Sequence, residues 1–205
     1  AFCAGADLTP EGGGQVGSDP TPGEDLSDER VRDGGGLLTL RLFESKKPLS
    51  SACNGVAVGV GSTMQLAMDI RLASESARYG FVFARRGIVP EAASSWFLPR
   101  FVGISQALEW CYSGRVFDAA EAHRGGLVRS IHAPCDLMAE ARSIASEVAQ
   151  NTSAVSVAMT RAMMWRLMSA DHPMEAHKID SRADRTRKRG APAFLKSASP
   201  NIPAK

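Results

Sequence analysis

The stretch from Cys53 to Ser74, CNGVAVGVGSTMQLAMDIRLAS, carries the strongest chemical signal in the chain. It reads as a strand, a glycine turn and a helix. Gly59 and Gly61 allow the backbone to turn tightly and to approach a ligand. A helix that begins directly after such a turn directs unpaired backbone N–H groups towards a bound ligand. That geometry suits an anion, either a phosphate or a transient oxyanion.

Other glycine motifs do not match this stretch. A dinucleotide-binding fingerprint would need a third glycine where Met64 stands, and a P-loop would need a Gly-Lys-Ser/Thr ending. The nucleophile elbow Gly-x-Ser-x-Gly is also missing. The alternative to an anion site is a tight turn that only packs a helix against a strand, and these residues alone leave both interpretations open.

Glu91 is the second candidate for chemistry. It lies in ARRGIVPEAASSWFLPRFVG, residues 84–103, where Pro90 and Glu91 precede small residues and then a helix that carries Trp96. The ordinary role of a glutamate near a helix N-terminus is to compensate the helix dipole. A catalytic carboxylate is the alternative.

The remaining reactive residues do not predict a metal site or a disulfide framework. His172, Glu175 and His177 lie close together, but a helix-start cluster explains them better than metal ligation does. The cysteines show no paired metal spacing and are expected to be free thiols in a reducing compartment: Cys3, Cys53, Cys111 and Cys135.

The composition predicts one sizeable core with an appendage. The chain has 205 residues, of which 44% are hydrophobic and 22% charged. Its net charge of +2 argues against nucleic acid as the main partner. We find no apolar run that could span a bilayer and no signal-peptide pattern, so we expect a cytoplasmic protein without a membrane partner.

The elements that position the candidate residues alternate between strands and helices. We predict strands over Leu49 to Val58, Ile70 to Ala73, Arg78 to Phe83 and Leu127 to Ile131, and a helical run that begins at Met64. Further helices are expected in the apolar segment from Leu37 to Phe43 and, in the second half, over Ser105 to Tyr112, Asp118 to Arg124, Ala139 to Gln150, Ser153 to Met168 and Pro173 to Arg187.

Residues 9–36 are rich in Gly, Pro, Asp and Glu, and we predict a mobile loop there. The chain opens inside another glycine loop, AFCAGADL, so we expect the N-terminal part of the core to precede Ala1. Residues 1–133 are predicted to form the core, and residues 134–205 a helical C-terminal subdomain.

Four motifs occur in a fixed order: AFCAGADL, NGVAVGVGSTMQLAMDIRLAS, GIVPEAASSWFLPRFVG and SGRVFDAAEAHRGGLV. Together they resemble the crotonase (enoyl-CoA hydratase/isomerase) superfamily. The resemblance implies an α/β fold, a spiral of ββα turns followed by a helical trimerisation region. It also implies a homotrimer or a dimer of trimers, and an acyl-CoA thioester substrate with no cofactor besides the coenzyme A of that substrate.

The resemblance assigns an oxyanion hole to two backbone amides. Carried over residue by residue, the N–H groups of Ala6 and Val60 would hold the thioester oxygen. Each such donor can lower the barrier to an enolate by about 3 kcal/mol. Residues around the substrate would be Ala4, Gly5, Asp7, Gly59, Gly61, Thr63, Phe83, Ile88 and Trp96.

Two departures from the family pattern bear on the reaction. Where hydratases of this family carry two catalytic glutamates, this chain has Thr63 and Phe83, so ordinary hydration is disfavoured. Glu91 matches the position of the catalytic acid in certain enoyl-CoA isomerases. One carboxylate is sufficient to move a proton from C2 to C4 of a 3-enoyl-CoA, and we therefore expect an isomerase.

Other interpretations stay open at this point. Thioester hydrolysis, dehalogenation or weak hydration on the same fold are alternatives, because related proteins use an acid at this position differently. A non-catalytic acyl-CoA-binding or scaffold protein is another. The last alternative is that the chain is a truncated piece that cannot complete its active site.

Overall fold

The computed structural model describes residues 1–7 and 32–187, with side chains as far as residue 183. This part of the chain forms two compact units. The first comprises the described residues of Ala1–Ser45 and Leu49–Ala145, and the second comprises Lys46–Pro48 together with the described residues from Ser146 onward. All candidate site residues lie in the first unit.

Six short strands in the described part of the first unit form two three-stranded sheets. They are β1 (Ser50–Cys53), β2 (Val56–Val58), β3 (Ile70–Ser74), β4 (Arg78–Gly80), β5 (Val116–Asp118) and β6 (Ser130–His132). One sheet has the order β1-β3-β6, all parallel, and the other the order β2-β4-β5, in which β5 is antiparallel to β4. From β1 to β4 the strands alternate between the sheets, so each turn of the chain adds one strand to both. This is the predicted ββα spiral.

Helices occur in both units of the described chain. They are α1 (Gly34–Phe43), α2 (Val60–Thr63), α3 (Ser94–Val102), α4 (Ile104–Ser113), α5 (Ala119–Arg124), α6 (Leu137–Asn151), α7 (Ala154–Leu167) and α8 (Pro173–Arg187). The 3-10 segments Met64–Ala67 and Val82–Arg86 follow α2 and β4.

Local chemistry explains several of these boundaries. Asp118 caps α5 by accepting a hydrogen bond from the Glu121 N–H at 2.8 Å, and Ser153 caps α7. Gly114 ends α4 in the left-handed conformation that favours glycine. The predicted helix starting at the Asp118 cap is confirmed, and so is the predicted helix from Pro173 to Arg187.

Four predicted elements need correction. The expected strand from Leu49 to Val58 is two strands in different sheets, because the chain turns at Asn54 and Gly55. The strand expected to reach Phe83 ends at Gly80 and gives way to the 3-10 segment. The strand expected from Leu127 to Ile131 is β6, Ser130–His132. The helix expected from Met64 begins at Val60 and tightens into 3-10 geometry.

One helix boundary also differs from the expected one. Of the loop predicted over residues 9–36, residues 9–31 lie outside the described residues, and α1 already begins at Gly34. Leu137 and Ile144 of α6 pack with Leu72 of β3, so the first unit continues through most of α6. The division at residues 133 and 134 stays a prediction.

The core of the first unit is aromatic where the second sheet meets α4. Trp110 stacks on Phe117 with ring centroids 4.2 Å apart, and Phe81 stacks on both. All three side chains are buried. In the second unit α7 and α8 pack together, and Ala158, Met159 and Trp165 of α7 are buried.

Candidate active site

The first glycine loop lies directly against the strand that leads into the second. Cys3 forms a parallel bridge with Ala57 of β2. The N–H groups of Phe2 and Cys3 both donate to the Val56 carbonyl at 2.9 Å, and the Val58 N–H donates to the Cys3 carbonyl at 3.0 Å. This backbone pairing places the first glycine loop beside the second glycine turn, where a Cβ on Gly59 would lie 3.8 Å from the Gly5 Cα atom.

Three glycines permit this close approach. A Cβ on Gly61 would lie only 2.1 Å from the Cys3 carbonyl oxygen, and one on Gly5 would lie 3.1 Å from the Val58 carbonyl oxygen. Gly5 and Gly59 have φ angles of +95° and +58°, which side chains rarely adopt. Any larger residue at Gly61 would push the two loops apart, because the nearest neighbouring atoms are backbone.

The two amides expected to form an oxyanion hole have N–H groups with no acceptor among the described residues. In the described part of the chain, neither the Ala6 N–H nor the Val60 N–H donates to a protein acceptor. Val60 is the first residue of α2, where a helix leaves its N–H groups unpaired. The turn itself is well held, since the Ser62 and Thr63 N–H groups donate to the Gly59 carbonyl at 2.9 and 3.0 Å.

A valine at position 60 is compatible with this role. Val60 has helical geometry, and the positive φ angles found at non-glycine residues in the described ranges belong only to Ala92 and Ala93. The Ser62 hydroxyl anchors the turn by donating to the Ala57 carbonyl at 2.6 Å and accepting from the Gly80 N–H at 3.3 Å. The Val60 amide is thus rigidly presented without backbone strain.

The N-terminus of α1 brings Val60 close to the turn that follows Glu91. A Cβ on Gly35 would lie 3.4 Å from both the Val60 Cγ2 atom and the Ala92 Cβ atom. Gly35 therefore packs between the oxyanion-hole candidate and the neighbour of the candidate base. Val60 and Ala92, which lie far apart in sequence, are therefore close to each other in the fold.

Glu91 is half-buried, and no described residue donates a hydrogen bond to its carboxylate. Burial raises the pKa of Glu91, and the negative charge of Asp33 raises it further. A carboxylate whose ionised form has no donor and is partly desolvated is a stronger base than one in water. Glu91 can therefore accept a proton from a ligand bound next to it.

The turn after Glu91 is strained. Ala92 and Ala93 have φ angles of +55° and +54°, a left-handed geometry that costs about 1–2 kcal/mol per residue. The Ser94 hydroxyl and N–H both donate to the Glu91 carbonyl, at 2.6 and 2.9 Å. Strain of this kind persists where the surroundings hold it and is common at functional sites.

The other predicted substrate-binding residues differ in accessibility. Thr63 is fully buried, its hydroxyl has no partner in the described part of the chain, and Phe83 is buried within the 3-10 segment. Their burial leaves little of either side chain for a substrate to touch, and contact of these two residues with substrate stays a prediction. Ile88 and Trp96 are half-buried, while Ala4, Ala6 and Asp7 are more accessible.

Trp96 is engaged within the protein. Its ring contacts Phe43 and Phe97 edge to face at 5.9 and 4.7 Å, and the Arg100 guanidinium lies 3.8 Å above it. This aromatic contact ties the C-terminal end of α1 to α3.

Asp33 is a site residue that sequence reasoning missed. It caps α1 by accepting from the Gly36 N–H, and its Oδ1 atom also accepts from the Ala92 N–H at 3.3 Å. The capping role of Asp33 could have been predicted from the sequence, because an Asp before an apolar helix is a typical N-capping residue. Its contact with a turn 59 residues away was not readable.

A metal centre and a membrane span are both missing from the described ranges. Residues 1–7 and 32–187 contain no cluster of three or more His, Cys, Asp or Glu side chains that could hold a metal ion. Within the same ranges, every helix is too short or too polar to cross a membrane.

The alternating two-sheet spiral and the paired glycine loops define a crotonase fold. The model of the enoyl-CoA hydratase/isomerase family matches residues 1–197, so the chain belongs to that family. This confirms the resemblance drawn from the four ordered motifs.

Individual relatives carry both hydratase and isomerase names. The chain is 38% identical to enoyl-CoA hydratase AFT3-1 of Alternaria alternata over 98% of its own length and 67% of the relative. It is 30% identical to 1,2-epoxyphenylacetyl-CoA isomerase of Escherichia coli, covering all of the chain and 78% of the relative. The crystal structure of enoyl-CoA hydratase from Bacillus anthracis superposes with a TM-score of 0.70 at 28% identity, over 87% of this chain and 71% of that one. The chain spans about two thirds of the length of its first relatives.

Proposed function

We propose that this protein processes acyl-CoA thioesters and isomerises 3-enoyl-CoA to 2-enoyl-CoA, with Glu91 as the only catalytic carboxylate. Glu91 carries the proposal, because it is a half-buried carboxylate without a hydrogen-bond donor among the described residues and its turn packs through Gly35 against Val60. Family membership and the relatives' acyl-CoA names support the substrate class.

The proposed reaction has two proton transfers. The Glu91 carboxylate takes a proton from C2, and the C–H electron pair moves into conjugation so that negative charge gathers on the thioester oxygen. The Ala6 and Val60 N–H groups stabilise that oxygen. Glu91 then returns the proton to C4, the carbonyl re-forms, and the double bond lies between C2 and C3.

The positions of Thr63 and Phe83 support an isomerase over an ordinary hydratase. Hydration needs groups that hold and activate a water molecule, and both of these side chains are buried and carry no carboxylate. A proton shift needs no water, and one carboxylate can perform both transfers.

Mixing the pure protein with 3-hexenoyl-CoA and following the absorbance of the conjugated product tests the proposal. Glu91→Gln removes the base while keeping the shape of the side chain, so conjugation should fall by at least the roughly 10²-fold that general-base catalysis typically contributes. Glu75→Gln is the matched control, since Glu75 is exposed on the turn between β3 and β4. No conjugation by the native protein, or equal rates for both variants, would contradict the mechanism.

A hydratase is the second candidate, because the name enoyl-CoA hydratase predominates among the relatives. Incubation with 2-hexenoyl-CoA distinguishes it, since hydration removes the conjugated absorbance that isomerisation creates. Turnover of this substrate with no turnover of 3-hexenoyl-CoA would favour hydration. Tight binding of CoA thioesters without turnover of a broad panel would favour a binding protein.

The proposed assembly is a homotrimer or a dimer of trimers. Light scattering of the purified protein measures its molar mass and so tests this assembly.

A further inference from the structure

The carboxylate of Asp33 links two parts of the candidate site. It caps the N-terminus of α1 through the Gly36 N–H, and its Oδ1 atom accepts from the Ala92 N–H at 3.3 Å. The second bond is to the peptide group that joins Glu91 to Ala92. Asp33 therefore touches the backbone that carries the proposed base.

This bond acts on a turn that needs support. Ala92 and Ala93 both have left-handed φ angles, and an ordinary alanine turn would relax out of that geometry. The Glu91 carbonyl is held from one side by the Ser94 hydroxyl and N–H. On the other side, the Asp33 carboxylate holds the Ala92 N–H, and Gly35 packs against the Ala92 side chain.

The opposite end of α1 is also tied to α3. The Phe43 ring meets Trp96 and Phe97 edge to face at 5.9 and 5.7 Å. Helix α1 is thus anchored to the Glu91 turn at its N-terminus and to the following helix at its C-terminus. A helix fixed at both ends is a stable support for the group at its N-terminus.

We propose that Asp33 is a positioning residue that ties the N-terminus of α1 to the left-handed turn after Glu91 and thereby holds the Glu91 carboxylate on the Val60 side of the site. The role of Glu91 as base rests on the proposed function. Asp33 itself does not transfer a proton in this account, because its carboxylate already accepts hydrogen bonds from two backbone N–H groups.

The charge of Asp33 adds a second effect. Among the described residues it is the charged group whose field acts on Glu91, and it raises the pKa of that carboxyl. The elements before and after the turn carry Arg85, Arg86 and Arg100, none of which shifts the Glu91 pKa. Removing the Asp33 charge should therefore lower the pKa of Glu91, so that Glu91 ionises at lower pH but is a weaker base.

Two substitutions separate the geometric effect from the charge. Asp33→Asn keeps an oxygen that can accept from the Gly36 and Ala92 N–H groups but removes the charge. Asp33→Ala removes both. Asp118→Asn is the matched control, because Asp118 is also an N-capping aspartate but caps α5.

The first readout needs no turnover. In protein labelled with ¹³C-glutamate, the Glu91 carboxyl signal is the one lost in Glu91→Gln, and its titration can be followed by NMR. We expect Asp33→Asn to move the titration midpoint to lower pH and Asp118→Asn to leave it in place. An unchanged midpoint in Asp33→Asn would overturn the electrostatic effect.

The second readout is kinetic. Asp33→Ala should lower kcat for 3-hexenoyl-CoA by about 10²-fold with a smaller change in KM, as expected when a base is misplaced by about 1 Å. Asp33→Asn should restore most of that loss and shift the acidic limb of the kcat profile to lower pH. Equal kcat in native protein and Asp33→Ala would overturn the positioning role. If Asp33→Asn shows the titration shift but native protein shows no turnover, the proposed function fails while the Asp33–Glu91 coupling stands.

Discussion

Replacing Gly61 by alanine tests whether the two glycine loops must touch. An alanine Cβ at this position would lie 2.1 Å from the Cys3 carbonyl oxygen, whereas real Cβ contacts are essentially never shorter than 3.0 Å. The loops must therefore move apart to accept it. The Cys3 carbonyl also accepts from the Val58 N–H, so this hydrogen bond is strained by the same movement.

The expected magnitude combines two costs. Overpacking a tight contact costs about 1–3 kcal/mol, and a weakened backbone hydrogen bond about 1 kcal/mol. We expect Gly61→Ala to lower the free energy of unfolding by about 2–4 kcal/mol. Because Ala6 and Val60 lie on the two loops that separate, kcat for 3-hexenoyl-CoA should fall by about 10²-fold.

Urea denaturation and the conjugation assay measure the two effects separately. Gly34→Ala is the matched control, because a Cβ there would meet nothing within 4 Å and φ is not positive. This control should be neutral or stabilising by up to about 1 kcal/mol. A Gly61→Ala protein with native stability and native turnover would refute the close contact between the loops.

Three further predictions concern Glu91, its turn and the buried threonine. Because the pKa of Glu91 is raised in the folded protein, ionisation of Glu91 opposes folding; this destabilisation is absent at low pH and appears as pH rises through the folded-state pKa. The Glu91→Gln protein should therefore gain stability relative to the native protein as pH increases. Denaturation at several pH values measures this difference. Ala93→Gly should stabilise the protein by about 0.5–1 kcal/mol, because glycine adopts the positive φ at this position without strain. The control Ala145→Gly, on the exposed face of α6, should lower the free energy of unfolding by about 1 kcal/mol. A loss of stability in Ala93→Gly would contradict the left-handed turn. Thr63→Val should be neutral or should stabilise the protein by about 1 kcal/mol, since it removes a buried hydroxyl with no partner in the described ranges. Lost turnover with unchanged stability would show that Thr63 acts in the reaction.

The sequence was most informative where a backbone feature has a local cause. Gly59 and Gly61 predicted the sharp turn before α2, and Asp118 predicted the start of α5. These signals depend on a few neighbouring residues, so they can be read without knowledge of the fold. The order of the four motifs then identified the family.

Features that depend on distant parts of the chain were not predictable in the same way. The strand expected from Leu49 to Val58 divides because its two halves pair with different strands, β3 and β4. Phe83 lies in a 3-10 segment and not in the expected strand. That segment also makes a contact distant in sequence, because the Arg85 side chain donates a hydrogen bond to the Ser113 carbonyl. The contact of Asp33 with Ala92 joins residues that no local pattern connects.

A crystal structure of the Glu91→Gln protein with unreacted 3-hexenoyl-CoA tests the central claim most directly. The mechanism predicts that the thioester oxygen lies within about 2.7–3.1 Å of both the Ala6 and Val60 nitrogen atoms. It also predicts that the side chain at position 91 lies within reach of both C2 and C4 of the acyl chain. A thioester oxygen bound away from these two amides, or a position 91 side chain that faces away from the acyl chain, would contradict it.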